Sequence, residues 1–185
     1  MPIKQSVCLP ILPPMDRGEL LRGIAAIGYP AIEVWGRDDD FSALCAEAAG
    51  HGLKVVSMIG HGSLPDGLNK PENHDRIEVE LRESIDFAAE YGVGGLICFS
   101  GNRVEGMEEE EAIENTVDGF LRVSSYAEEK GINLNIELLN SKVDHAGYQC
   151  DFTDWGLEVV ARVGSPRVKL LYDIYHMQIM EGDVI

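Results

Sequence analysis

Six short apolar runs, separated by amphipathic stretches long enough for helices, recur along the 185 residues and confine the chain to very few architectures. Val7 to Leu12, Ala31 to Trp35, Val55 to Ile59, Gly95 to Ser100, Leu134 to Leu139 and Val168 to Tyr172 read as strands buried on both faces. Continuous runs of this length, without polar alternation, are what a parallel sheet covered on each side requires. The stretches between them carry helical spacing. Leu20, Ile24 and Ile27 share one face of the first, which opens with Asp16 and Glu19 at capping-box spacing and stops at Gly28. Phe41, Leu44, Cys45 and Ala48 form the second stripe, ending at Gly50 to Gly52, and Ile77, Leu81, Ile85 and Ala88 the third, ending at Gly92. Ile113, Val117, Phe120, Leu121 and Ser124 mark the fourth before Gly131, and Leu157, Val160 and Ala161 the fifth before Gly164.

Strand and helix alternating in this way force parallel pairing, because each helix returns the chain to the same end of the sheet. A doubly wound sheet would carry a glycine-rich phosphate turn after an early strand. Gly92, Gly94 and Gly95 precede a strand instead, and neither GxGxxG nor GxxxxGK[ST] occurs. A parallel (β/α) barrel of the TIM type is therefore expected. Eight units need ~250 residues, so the expectation is a single domain over residues 1–185 that is short of about two barrel units.

Net charge is −17, from 32 acidic and 15 basic residues, which repels nucleic acid and anionic lipid and favours a small-molecule partner met by a few local cations. The acidic run Glu108 to Glu111 falls at a helix start, where the dipole favours carboxylates, and needs no function. No apolar stretch reaches the ~18 residues of a membrane span. Met1 to Leu12 reads as a strand and not a signal peptide, with one lysine and an apolar run broken by Pro10. Cys8, Cys45, Cys98 and Cys150 form no CxxC pair, which suits reduced thiols in a cytoplasmic protein.

In a parallel barrel the chemistry sits at the C-terminal ends of the strands. Glu33 and Trp35 close the second run, His61 the third, Ser100, Asn102 and Arg103 the fourth, Glu137 and Asn140 the fifth, Asp173 and His176 the sixth. Glu137 interrupts Leu134 to Leu139 and Asp173 interrupts Leu170 to His176, so each carboxylate must be ion-paired or coordinated to offset desolvation. Carboxylates meeting at one barrel mouth suit Mg²⁺, Mn²⁺ or Co²⁺. His176, three residues beyond Asp173, is a neutral donor facing the same cavity or a satisfied buried histidine. His61, between Gly60 and Gly62, is a ligand contact or part of a flexible loop. Trp35 is a pocket wall or a core cover, and Arg103 and Lys142 are the cations best placed to meet a substrate carboxylate or are surface charges. His51, His74 and His145 are expected to face solvent.

Asn135 to Lys142 (NIELLNSK) and Tyr172 to Gln178 (YDIYHMQ) resemble the paired signatures of the sugar phosphate isomerase/epimerase family, supported by Ile32 to Trp35 and Phe99 to Arg103. The likeness is greatest to its hydroxypyruvate isomerase branch. The resemblance implies a xylose isomerase-like TIM barrel with one divalent metal. It implies Glu137 and Asp173 as metal ligands, Glu137 and His176 as catalytic groups, and His61, Arg103, Asn140, Lys142 and Trp35 around the substrate, a small carbohydrate or hydroxy-keto acid. The branch reaction converts hydroxypyruvate to tartronate semialdehyde through an enediolate. The family's remaining ligands, a His or Gln on the seventh strand and a Glu on the eighth, have no counterpart among these six units. The alternative is therefore an inactive, incomplete barrel that self-associates through open sheet edges. An apurinic endonuclease on the same fold would need more histidine ligands and a basic groove.

Overall fold

Parallel pairing appears as the alternation requires: six strands lie in one sheet in chain order, every neighbouring pair parallel. The computed structural model describes residues 3–182; residues 1, 2 and 183–185, which include the first positions of the expected N-terminal strand, lie outside it. The strands are β1 (Ser6–Cys8), β2 (Ala31–Glu33), β3 (Lys54–Ile59), β4 (Gly95–Cys98), β5 (Asn133–Glu137) and β6 (Val168–Leu171). The helices are α1 (Arg17–Ile27), α2 (Phe41–Gly50), α3 (His74–Tyr91), α4 (Glu109–Lys130), α5 (Thr153–Val163) and α6 (Ile174–Met180). Among the described residues β1 and β6 do not pair, so the sheet curves as an open barrel wall with two free edges.

The core lies between the outer face of this wall and the helices. On β5 the side chains alternate: Leu134 and Ile136 are fully buried outward, while Asn133, Asn135 and Glu137 point inward and are half-buried. Among the described strands only β4 is buried at every position. The expectation of strands buried on both faces therefore holds at the centre of the sheet and fails toward its edges, where the inner face opens to solvent. Each outward Leu or Ile that meets α3 or α4 contributes roughly 1.5–3 kcal/mol, and Ile77, Leu81, Ile85, Phe120 and Val123 supply the facing surface.

Local signals acted as read at most helix ends. Asp16 caps α1 by accepting from the Glu19 N–H at 2.9 Å. Gly131 ends α4 in the left-handed conformation that a residue with a side chain adopts only at a cost. The acidic first turn of α4 is Glu109, Glu110 and Glu111.

Some expectations are corrected. β1 is only three residues, because Pro10 turns Leu9–Ile11 into a 3-10 turn. α5 buries Trp155, Val159 and Val163, and Leu157 is half exposed. Of the expected stripe Val160 does pack against the core, while Leu157 and Ala161 face out, because the apolar residues of this helix outnumber one stripe. Ile27 and Leu121 likewise point outward. Helix α6 has no sequence-level forecast; Asp173, read there only as a site carboxylate, is also its N-cap.

Candidate active site

Parallel register brings three carboxylates to one end of the wall. Glu33 is the last residue of β2, paired opposite Cys8, and accepts a hydrogen bond from Ser6 Oγ. Glu137 is the last residue of β5, opposite Leu171; Asp173 lies two residues farther, on the same face by strand alternation. These three, with Trp35 and His176, line a cavity of about 610 Å³ whose remaining walls include Ile59, Ile97, Phe99 and Leu139. Among the described residues no lysine or arginine lines it.

The electrostatics follow from that composition. Burial first, then the charges of Asp173 and Glu33, push the Glu137 carboxyl from its ordinary 4.5 up to about 7, with no hydrogen bond to offset them. Such a carboxyl is near half-ionised close to neutrality and suits holding and releasing a proton. Asp173 Oδ1 accepts from the His176 N–H at 3.1 Å, which fixes the start of α6.

His176 is nearly buried. Desolvation lowers its pKa and His145 lowers it further, while the charges of Asp173 and Asp144 oppose them. Its Nδ1 meets the Asn140 side-chain amide at 2.6 Å. Asn140 is wholly buried behind the cavity wall. His145 and Tyr175, which the sequence reading left out of the site, line the cavity and stand edge-on to the His176 ring at centroid distances of 5.3 and 5.0 Å. The expected solvent exposure of His145 is thus corrected. His74 is corrected as well: it is buried, with Nε2 at 2.8 Å from the Leu68 carbonyl. The one sequence signal for His145 is its place in the loop after β5, closed by its N–H donating to the Asn140 carbonyl at 3.0 Å.

The other expected substrate contacts lie elsewhere. His61 is 3% exposed, and its Nε2 accepts the Phe99 N–H at 2.9 Å. Burial pushes its pKa down to about 4. It faces a separate depression of about 390 Å³ shared with Arg37, Glu80 and Ser84, which adjoins the first cavity at Trp35 and Ile59. Arg103 makes two hydrogen bonds to the buried Asp151, at 2.8 and 3.1 Å, and a third to the Tyr148 carbonyl at 2.6 Å. Lys142 Nζ donates to the carbonyls of Ile179 and Met180 at the end of α6. Sequence order put both cations near the mouth; their nearest partners draw them into structural contacts instead.

Glu137 and Asp173 offer hard oxygen donors, and the missing counter-charge around Glu137 is what a divalent cation would supply. The fit is to part of a site. Among the described residues no three His, Cys, Asp or Glu side chains are gathered closely enough to hold an ion.

Open parallel wall, carboxylates at the C-terminal strand ends and a following histidine together define a class. The chain belongs to the xylose isomerase-like TIM barrel family, whose profile matches residues 21–185. A Streptomyces coelicolor relative named "Putative hydroxypyruvate isomerase" is 27% identical over 177 residues, covering 86% of this chain and 63% of its own. This chain therefore spans less than two thirds of that relative's length. The hydroxypyruvate isomerase of Escherichia coli is 30% identical over 111 residues, covering 58% of this chain and 43% of its own. Among solved structures, D-psicose 3-epimerase with D-tagatose from Clostridium cellulolyticum superposes with a TM-score of 0.77 over 99% of this chain and 67% of that one, at 18% identity. That last likeness is one of fold.

Proposed function

We propose that the protein is a divalent-metal-dependent isomerase or epimerase of a small hydroxy-keto acid or sugar, with conversion of hydroxypyruvate to tartronate semialdehyde as the first reaction to test. The supporting observation is the convergence of Glu137, Asp173 and His176 on one cavity that, among the described residues, no lysine or arginine lines. Relatives named as hydroxypyruvate isomerases support the substrate class. Glu137 and Asp173 would hold Mg²⁺, Mn²⁺ or Co²⁺. The cation would supply charge stabilisation for a substrate losing a proton beside its carbonyl. Glu137 holds or moves that proton at its carboxyl, His176 faces the substrate oxygens, and Trp35 with the apolar walls limits water. Among the described residues no helix is long and apolar enough to cross a membrane, and four free thiols support a reducing, cytoplasmic setting.

Turnover of hydroxypyruvate with Mn²⁺ tests the reading. Glu137→Gln should lose ~10²-fold or more in kcat together with metal binding. Full activity of that variant, or undiminished turnover in excess chelator, refutes it.

The free edges of β1 and β6 favour a second reading, an inactive wall that self-associates through those edges. Light scattering on a size-exclusion column distinguishes them: a stable monomer with turnover removes the second reading, and an inactive oligomer removes the first.

A further inference from the structure

Behind the cavity wall, the hydrogen bonds of one buried amide have a single chemical solution. Asn140 Oδ1 accepts from the backbone N–H of Val143 at 3.0 Å and of Asp144 at 2.9 Å. Backbone amides only donate, so the oxygen of the side chain is pinned to that side and its NH₂ must face the other way. Of the two NH₂ hydrogens, one goes to Asp144 Oδ2 at 2.7 Å and the other to His176 Nδ1 at 2.6 Å.

A ring nitrogen that receives an N–H carries a lone pair. Both the imidazolium and the Nδ1–H tautomer would set two donors against each other at this contact, leaving only the neutral ring with its proton on Nε2. Nε2 has no hydrogen-bond partner among the described residues, is not sealed from solvent, and belongs to a ring that lines the cavity. The arrangement is braced from both sides. Tyr175 OH donates to the same Asp144 oxygen at 2.8 Å, and the His145 and Tyr175 rings stand edge-on to the imidazole.

We infer that Asn140 is a positioning residue that fixes His176 as the Nε2–H tautomer, so that this histidine presents a hydrogen-bond donor, and not a metal-binding lone pair, to a carbonyl or hydroxyl oxygen in the cavity. The identity of that oxygen rests on the proposed function; the tautomer does not. Asn140 thus acts through His176 and does not itself line the cavity.

Replacing the NH₂ with a second acceptor reverses the requirement. In Asn140→Asp the new oxygen demands a proton on Nδ1, which both the Nδ1–H tautomer and the imidazolium supply.

Long-range proton–nitrogen correlation spectra of the whole protein with isotope-labelled histidine, near neutral pH, read this directly. His176→Gln assigns the signals. The wild type should show a protonated Nε2 and a bare Nδ1, and Asn140→Asp a protonated Nδ1. A wild-type Nδ1–H or imidazolium, or an unchanged tautomer in a folded Asn140→Asp, overturns the inference. The introduced carboxylate faces Asp144, so circular dichroism checks the fold, and if that variant does not fold the wild-type spectrum decides alone. Hydroxypyruvate turnover is measured on the same sample. An Nε2–H ring without turnover sustains the inference and sinks the proposed function, whereas turnover with an Nδ1–H ring does the opposite.

Discussion

Glu137→Gln removes a charge that the fold tolerates poorly, and the size of the effect follows from its surroundings. In the unfolded chain this carboxyl titrates near 4.5; in the fold, burial and the charges of Asp173 and Glu33 raise it to about 7. The difference corresponds to about 3 kcal/mol. The sign follows from proton counting. Between these two values the native state binds more protons than the unfolded one, so stability falls as pH rises. The stabilisation relative to the ionised state is fully present below 4.5 and lost as pH passes through about 7. Urea unfolding of wild type and Glu137→Gln, in chelator, near pH 5 and near pH 8, compares the two proteins on either side of this titration. Over that interval the gap between the two proteins should shift by about 2.5 kcal/mol in favour of the variant at the higher pH. Under the proposed function, Mn²⁺ at ~100 times its Kd adds about 2.7 kcal/mol to the wild type and nothing to the variant. Stability curves that run parallel across the whole pH range would refute the account of Glu137 as a desolvated carboxyl among like charges.

His61 should show the opposite pH dependence: its pKa falls from 6.5 to about 4 on folding, so it contributes about 3 kcal/mol that is present above 6.5 and lost as pH drops through 4. His61→Gln keeps an acceptor for the Phe99 N–H, and its thermal unfolding should lose that acid-side slope. Arg103→Met strands the buried Asp151 carboxylate; denaturant titration should show a loss of about 3 kcal/mol, relieved in part by adding Asp151→Asn. Gly67→Ala puts a Cβ at 2.4 Å from the Gly101 nitrogen and the Phe99 carbonyl, backbone that cannot yield cheaply. It should cost about 3 kcal/mol or more, while Gly62→Ala, 3.7 Å from the flexible end of Glu80, stays near neutral in the same assay.

Strand order, parallel direction and the first five helices were legible in the chain because each depends on neighbours within a few positions: runs of Val, Ile and Leu, the Asp16 cap and the glycine stops. Glu137 and Asp173 stood out for the same reason, as carboxylates inside apolar segments. Helix α6 escaped because one residue serves two purposes there, with Asp173 both facing the cavity and capping seven residues.

Which polar groups meet is a different kind of information. Arg103 finds Asp151 48 positions away, Asn140 finds His176 across 36, and neither distance leaves a periodic trace in the sequence. Chemistry at the strand ends is a local property that composition and spacing carry. The partner that each charge chooses, and with it the proton on the His176 ring and the raised pKa of Glu137, follows from packing and desolvation that exist only once the wall has folded.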